Sequence, residues 1–113
     1  MSDKVKKFQQ ERQRLNEHIL SRENVNIKRF FGIDTAVYRD GALDAKTKEL
    51  LGLVASVVLR CDDCIAYHAI QARDAGVTEE EFDEVMSVGL IAGGSITIPH
   101  IRRAYDFWRE LKS

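Results

Sequence analysis

The chain has 113 residues, of which 44% are hydrophobic, and it carries a formal net charge of -1 with a pI of about 6.3. This length supports one hydrophobic core but not two, and the charge excludes a basic field that would attract nucleic acid or an anionic membrane. No stretch approaches the roughly 20 apolar residues that span a bilayer, and the first residues lack the apolar run of a signal peptide. We therefore expect a cytoplasmic protein.

Apolar residues recur every three or four positions along most of the chain, and Pro99 is its single proline. This pattern predicts an all-helical fold of about six helices. The expected helices cover approximately residues 3–20, 26–38, 45–59, 62–75, 78–93 and 99–111. The first is highly charged and should pack loosely, whereas the third is apolar nearly all the way round after its first turn and should be buried.

Local signals mark the ends of several of these helices. Asp44 is placed to cap the third helix through its carboxylate. Thr78 and Glu81 have the spacing of a capping box at the start of the fifth helix. Gly76 suits the left-handed position that follows the fourth helix.

The only two cysteines, Cys61 and Cys64, lie at the start of the fourth helix. In a cytosolic protein such a pair is more often catalytic or metal-binding than structural. Its spacing lets a disulfide close with little backbone movement, and a helix N-terminus lowers the pKa of a thiol. Asp62 and Asp63 oppose that effect, because negative charge raises the pKa of a neighbouring thiol. A further proton acceptor is therefore needed.

His68 supplies this acceptor, because it lies four residues after Cys64 on the same helical face. We predict Cys64 as the nucleophile, with Cys61 as the alternative, since many redox proteins expose the first cysteine of the pair. Glu49, on the preceding helix, is the candidate outer proton-transfer group. A rise of about 1.5 Å per residue places Glu49 roughly 16 Å and His68 roughly 12 Å from a turn near Arg60. A water or a skewed helix crossing would have to join them.

Glu49, Cys61, Cys64 and His68, with eleven, two and three residues between them, resemble the signature of the alkylhydroperoxidase D-like branch of the carboxymuconolactone decarboxylase family. The run from about residue 41 to residue 108 resembles the core domain of that family. The resemblance implies an all-helical fold that assembles as homotrimers or homohexamers.

The same resemblance divides the chain into a helical lead-in, residues 1–40, and a carboxymuconolactone decarboxylase-like core, residues 41–113, within one structural domain. It implies a peroxiredoxin-type alkylhydroperoxidase that needs a small hydroperoxide and a dithiol or protein reductant, and no cofactor. The decarboxylation that names the family belongs to members without the cysteine pair, so we do not expect it here.

Carried onto this chain, the resemblance implies that the Cys64 thiolate attacks the hydroperoxide and becomes a sulfenic acid. Cys61 then condenses with it to form the disulfide. His68 and Glu49 relay the proton.

A zinc site is an alternative interpretation, because Cys61, Cys64, His68 and Glu49 are all residue types that bind zinc. Three of them crowd on one helix face, which disfavours a tetrahedral site. Haem attachment is excluded, since Ile65 follows Cys64 where a histidine is required.

A non-enzymatic, stress-sensing homo-oligomer is a further alternative. The apolar third helix, together with Phe107 and Trp108 in the last helix, offers more apolar surface than a six-helix monomer covers. Self-association is therefore expected with or without catalysis. Tyr67 and His100 lack comparable support and are expected to be packing or surface residues.

Overall fold

The computed structural model describes residues 2–111, and within them it contains six α-helices, one 3-10 turn and no strand. The helices are α1 (Asp3–Ser21), α2 (Val25–Val37), α3 (Ala45–Val58), α4 (Asp62–Asp74), α5 (Glu79–Gly93) and α6 (Ile98–Leu111), with the 3-10 turn Ser95–Thr97 before α6. The all-helical prediction is confirmed, and the predicted helices match the observed ones closely in their bounds.

The predicted helix-end signals are all present. Asp44 accepts the backbone N–H of Thr47 at 2.8 Å and so caps α3. The Thr78 hydroxyl accepts the N–H of Glu81 at 3.1 Å, and the Glu81 carboxylate accepts the N–H of Thr78 at 2.8 Å. Gly76 has a φ of 90° directly after α4, the left-handed conformation that glycine adopts without steric cost.

The hydrophobic core lies between α3, α4, α5 and α6, and α3 packs most extensively against α4 and α5. Phe82 is completely buried there and stacks on Trp108, with ring centroids 4.4 Å apart. The buried apolar side chains are Val5, Leu53, Val57, Ile65, Ala66, Ala69, Ile70, Ala72, Val77, Phe82, Met86, Ala104, Phe107, Trp108 and Leu111.

The first helix packs against the core mainly through its N-terminal half. Val5 is fully buried, and Phe8 packs edge-on against Phe107 with ring centroids 5.5 Å apart. Leu15 and Ile19, further along α1, remain exposed. Within residues 2–111, every helix is either too short or too polar to span a bilayer.

The second and third helices leave apolar side chains on the surface. None of the thirteen residues of α2 is buried, and Phe30 is 69% exposed. The prediction that α3 is buried on all sides is wrong for the single chain, since Leu51 is 51% exposed and Val58 is 36% exposed. One side of α3 faces α4 and α5, whereas its opposite side faces outward.

Candidate active site

A tight turn between α3 and α4 places the first cysteine. Arg60 adopts a left-handed conformation with a φ of 59°, and its N–H donates to the Val57 carbonyl at 3.0 Å. The N–H of Cys61 donates to the Ser56 carbonyl, also at 3.0 Å. These two bonds form a Schellman motif, which ends α3. Cys61 is therefore the N-cap residue of α4, and its Sγ accepts the N–H of Cys64 at 3.2 Å.

The two cysteines form a disulfide, and their Cα atoms lie 5.3 Å apart. Cys61 is half-buried, whereas Cys64 is exposed and lines a cleft of about 400 Å³ that His68 also lines. The other residues of this cleft come from α1, α2 and α4 and are Arg12, Asn16, Phe30, Phe31, Asp34, Thr35, Asp63 and Tyr67. A small molecule in the cleft would therefore meet Cys64 and the imidazole together.

The imidazole of His68 is paired with the carboxylate of Glu49. Nδ1 of His68 lies 2.8 Å from Oε1 of Glu49, and the two side chains are only 12% and 10% exposed. Because a carboxylate oxygen accepts, this hydrogen bond places a proton on Nδ1 and, in the neutral imidazole, leaves the lone pair on Nε2. The nearly buried carboxylate thereby gains the partner that burial demands.

No bridging water is needed between Glu49 and His68, because their side chains are in direct contact. Counting helix rise gave a mismatch of about 4 Å. That distance lies within the combined reach of a glutamate and a histidine side chain, which a count of backbone positions ignores.

Gly52 makes the approach of His68 to α3 sterically feasible. A Cβ at this position would lie 2.8 Å from Cε1 of His68 and 2.7 Å from the hydroxyl oxygen of Tyr38. Gly52 follows Glu49 by three residues, so both share one face of α3. The missing side chain therefore opens the space in which the imidazole reaches the carboxylate.

Two tyrosines enclose the imidazole, since the ring centroids of Tyr38 and Tyr67 each lie 5.2 Å from that of His68. Burial raises the pKa of Tyr38, and the charge of Glu49 raises it further. Burial also raises the pKa of Tyr67, against the opposing effect of Arg12, whose guanidinium lies 3.9 Å from the Tyr67 ring centroid. Both phenols stay protonated at neutral pH. Tyr67 packs as predicted, but it also lines the cleft.

Asp62 follows Cys61 in sequence, yet its carboxylate binds side chains of α6. Oδ1 accepts a hydrogen bond from Nδ1 of His100 and Oδ2 accepts one from Nε of Arg103, both at 2.8 Å. Burial by itself would raise the pKa of Asp62, but the two hydrogen bonds and the charges of both partners outweigh it and lower the pKa. His100, expected to be a packing or surface residue, is thus hydrogen-bonded to the first residue of α4.

The zinc interpretation is not supported by the arrangement of the side chains. Within residues 2–111, no group of three or more His, Cys, Asp or Glu residues is placed to hold a metal ion. The sulfurs of Cys61 and Cys64 are bonded to each other, and Glu49 and His68 are paired with each other. The four residues converge as pairs rather than around a common centre.

The structure brings all four predicted site residues together, and their catalytic roles stay predictions. Sequence reasoning missed Gly52, Tyr38 and Arg12. A glycine one turn after Glu49, inside a helix of large apolar residues, was the one signal that pointed to a close approach.

Fold and site together define an all-helical protein with a disulfide-bonded Cys-x-x-Cys pair at a helix N-terminus. Residues 27–107 match the family model described as Carboxymuconolactone decarboxylase family. The chain therefore belongs to the carboxymuconolactone decarboxylase family.

Solved structures from two organisms resemble this one over most of the chain. A protein from Thermotoga maritima has a TM-score of 0.92 and 57% identity, covering 95% of this chain and 94% of its own. A second structure of that protein has a TM-score of 0.90, 56% identity and coverage of 94% and 90%, and is described as a family member with a possible involvement in an antioxidative response. The apo form of a family member from Legionella pneumophila has a TM-score of 0.89 and 25% identity over 99% of this chain and 100% of its own.

Curated relatives extend the similarity to other bacteria without adding an activity. An uncharacterised protein from Cupriavidus necator is 31% identical over 84 residues, which are 74% of each chain. An uncharacterised protein of the cox locus of Paracoccus denitrificans is 32% identical over 82 residues, 73% of this chain and 74% of its own.

Proposed function

We propose that this protein is a thiol peroxidase of the alkylhydroperoxidase D-like branch, which reduces hydroperoxides through Cys61 and Cys64. One observation carries the proposal: exposed Cys64 shares a cleft with His68 and is within disulfide-bonding distance of Cys61. Nδ1 of the same His68 is hydrogen-bonded to Glu49. The possible antioxidative involvement described for the Thermotoga maritima relative supports the same reaction class.

The first step of the proposed cycle is attack of Cys64 on the peroxide. The thiol gives its proton to Nε2 of His68, and the resulting thiolate attacks the terminal oxygen of the hydroperoxide. The O–O bond breaks, Cys64 becomes a sulfenic acid and the alkoxide leaves. The imidazolium returns its proton to the alkoxide, which departs as an alcohol, so that His68 ends the step unchanged. Glu49 stabilises the transient imidazolium through its hydrogen bond to Nδ1.

The second step consumes the sulfenic acid. The thiol of Cys61 attacks the sulfur of Cys64, the disulfide forms and water leaves. An external dithiol, small or protein-borne, then reduces the disulfide by exchange and is itself oxidised. The observed Cys61–Cys64 disulfide corresponds to the oxidised member of this cycle. Because dithiol reductants are maintained in the cytosol, we place the activity in the cytoplasm.

The experiment that tests the proposal counts free thiols in reduced, metal-free protein before and after one equivalent of cumene hydroperoxide. We expect both thiols to disappear while the intact mass falls by about two hydrogens, the signature of an intramolecular disulfide. A parallel sample without peroxide controls for oxidation by air. Two free thiols and an unchanged mass after peroxide treatment would reject the peroxidase proposal.

We also propose that the protein functions as a homo-oligomer, a homotrimer or homohexamer by family resemblance, in which a second copy covers α2. Ile33 is 62% exposed and Val37 is 57% exposed on a helix that buries none of its residues in the single chain. The outward side of α3, on which Leu51 is 51% exposed and Val58 is 36% exposed, is a second apolar surface. Two such surfaces on one chain allow head-to-tail contacts that close into a ring.

Light scattering coupled to size-exclusion chromatography tests this assembly. We expect a mass that is a multiple of 12.9 kDa. Ile33→Asp should reduce this mass, because it places a charge on the apolar face. Lys28→Gln, on the same helix, changes the net charge by the same amount and serves as the control. A single peak near 12.9 kDa for the unmodified protein would refute the proposal. If the oligomer forms but no peroxide reacts, the stress-sensing alternative is favoured.

A further inference from the structure

The acidic pair between the cysteines poses a chemical problem for a thiol enzyme. A carboxylate beside a thiolate disfavours the ionised sulfur by Coulomb repulsion, and Asp62 and Asp63 place two carboxylates within the turn. The two carboxylates have different surroundings. Asp63 lines the cleft with Cys64, whereas Asp62 is hydrogen-bonded to two basic residues of α6.

We propose that His100 and Arg103 are positioning residues for the segment Cys61–Cys64. They hold Asp62 against α6 and compensate its charge, so that Cys64 can ionise. The inference rests on the proposed function, in which the thiolate is the reacting species. Each carboxylate oxygen of Asp62 has its own donor at 2.8 Å, and Nη2 of Arg103 lies 3.2 Å from Nδ1 of His100. His100 and Arg103 are three residues apart and therefore share one face of α6.

The location of this cluster separates it from an ordinary surface ion pair. An isolated exposed pair contributes little to stability, and Asp62 and Arg103 are 45% and 57% exposed. Asp62, however, is the first residue of α4, and it directly follows Cys61, whose Sγ caps the helix. A displacement of Asp62 would move the sulfur, and loss of its partners would leave an uncompensated charge beside both thiols.

The α4–α6 packing gives the cluster a rigid base. Ile65 and Ala66, one turn after Asp62, are buried in the same core as Ala104 of α6. These residues and Asp62 surround one small space between the two helices. The cluster therefore fixes the first turn of α4 to a packed element rather than to a loop.

The test measures the rate at which iodoacetamide alkylates Cys64 in the reduced protein at pH 7, where only the thiolate reacts. Arg103→Gln should slow alkylation about threefold or more, because the charge of Asp62 becomes uncompensated. Adding Asp62→Asn should restore at least the original rate. Asp63→Asn is the matched control, since it removes the same charge from the same turn without altering the cluster. It should change the alkylation rate by the same factor whether residue 103 is Arg or Gln.

The pH profile separates this charge effect from a distorted fold. If charge is the cause, the alkylation rates of Arg103→Gln and of the unmodified protein converge at a pH where Cys64 is fully ionised in both proteins. Arg103→Lys should stay close to the unmodified rate, because it keeps the positive charge. Three outcomes would each overturn the proposal. The first is an unchanged alkylation rate for Arg103→Gln, and the second is a rate difference that persists at all pH values. The third is an effect of Arg103→Gln that Asp63→Asn reduces as much as Asp62→Asn does. Alkylation needs no peroxide, so this result is independent of the peroxidase test.

Discussion

Nδ1 of His68 lies 2.8 Å from Oε1 of Glu49, across 19 residues of sequence and between two helices. The contact fixes the imidazole tautomer, because the Nδ1 proton is engaged and Nε2 of the neutral ring is left to act as a base. It also fixes the ring orientation on the face of α4 that carries Cys64. In the proposed mechanism this pair acts as the base, and neither of its residues lies within the Cys-x-x-Cys segment.

His68→Gln is expected to lower the rate of peroxide consumption at pH 7 by about a hundredfold, the typical contribution of a general acid–base group. The rate should recover partly as pH rises, because hydroxide then forms the thiolate that the imidazole no longer generates. Stopped-flow measurement of peroxide-driven thiol loss from pH 6 to 10 tests both statements. His18→Gln, the same substitution on an exposed part of α1, should leave the profile unchanged. A flat response to His68→Gln would remove this residue from the mechanism.

Much of the fold could be predicted because its signals act over a few residues. The Asp44 cap, the capping box of Thr78 and Glu81, and the left-handed Gly76 each operate within one helical turn. The spacing of Cys64 and His68 is equally local, since α-helical periodicity places them on one face.

The contacts that complete the site depend on how distant helices pack. His100 is 38 residues from Asp62, and no periodicity encodes which residue of α6 meets the first turn of α4. The contact between the rings of Tyr38 and His68 depends likewise on the path of the backbone after α2. The outward side of α3 was misjudged for a related reason: apolar residues all round a helix favour its burial, but they do not determine which of its sides the rest of the chain covers.

Cys64→Ser is expected to abolish reaction with peroxide, whereas Cys61→Ser should permit one stoichiometric oxidation and no turnover. In the second variant the sulfenic acid forms but has no resolving thiol. Intact mass after one equivalent of peroxide should rise by about one oxygen for Cys61→Ser and stay unchanged for Cys64→Ser. The reverse pattern would identify Cys61 as the nucleophile.

Alkaline pH is expected to destabilise the fold through Tyr105. Burial, followed by the hydrogen bond that its hydroxyl donates to Asp83 at 2.8 Å, raises the pKa of Tyr105 to about 12. An unfolded tyrosine ionises near pH 10, so its contribution to stability is constant below about pH 10 and is lost as pH rises towards 12. Urea unfolding at pH 8, 10 and 11 should therefore show a stability difference between the unmodified protein and Tyr105→Phe that shrinks with pH. A constant difference would mean that the folded phenol titrates normally.

Gly52→Ala is expected to lower the peroxide reactivity without replacing a reacting group. The new methyl would come within 3.0 Å of His68 Nδ1 and 2.7 Å of the Tyr38 hydroxyl oxygen, so one or both rings must move and the bond to Glu49 must lengthen. A mid-helix alanine gains about 1 kcal/mol in helix propensity, which overpacking of about 1–3 kcal/mol offsets. The expected result is a folded protein whose peroxide reactivity and pH profile approach those of His68→Gln.

Gly32→Ala gives the matched control, because a Cβ on Gly32 in α2 would have no heavy atom within 4 Å. It should raise the free energy of unfolding by about 0.5–1 kcal/mol and leave the peroxide reaction unchanged. Adding Tyr38→Phe to Gly52→Ala removes the contact with the hydroxyl but not the one with the imidazole, so reactivity should recover only in part. Full recovery in the double variant would show that the tyrosine, rather than the position of His68, limits the reaction. Full reactivity of Gly52→Ala alone would show that the Glu49–His68 bond is dispensable.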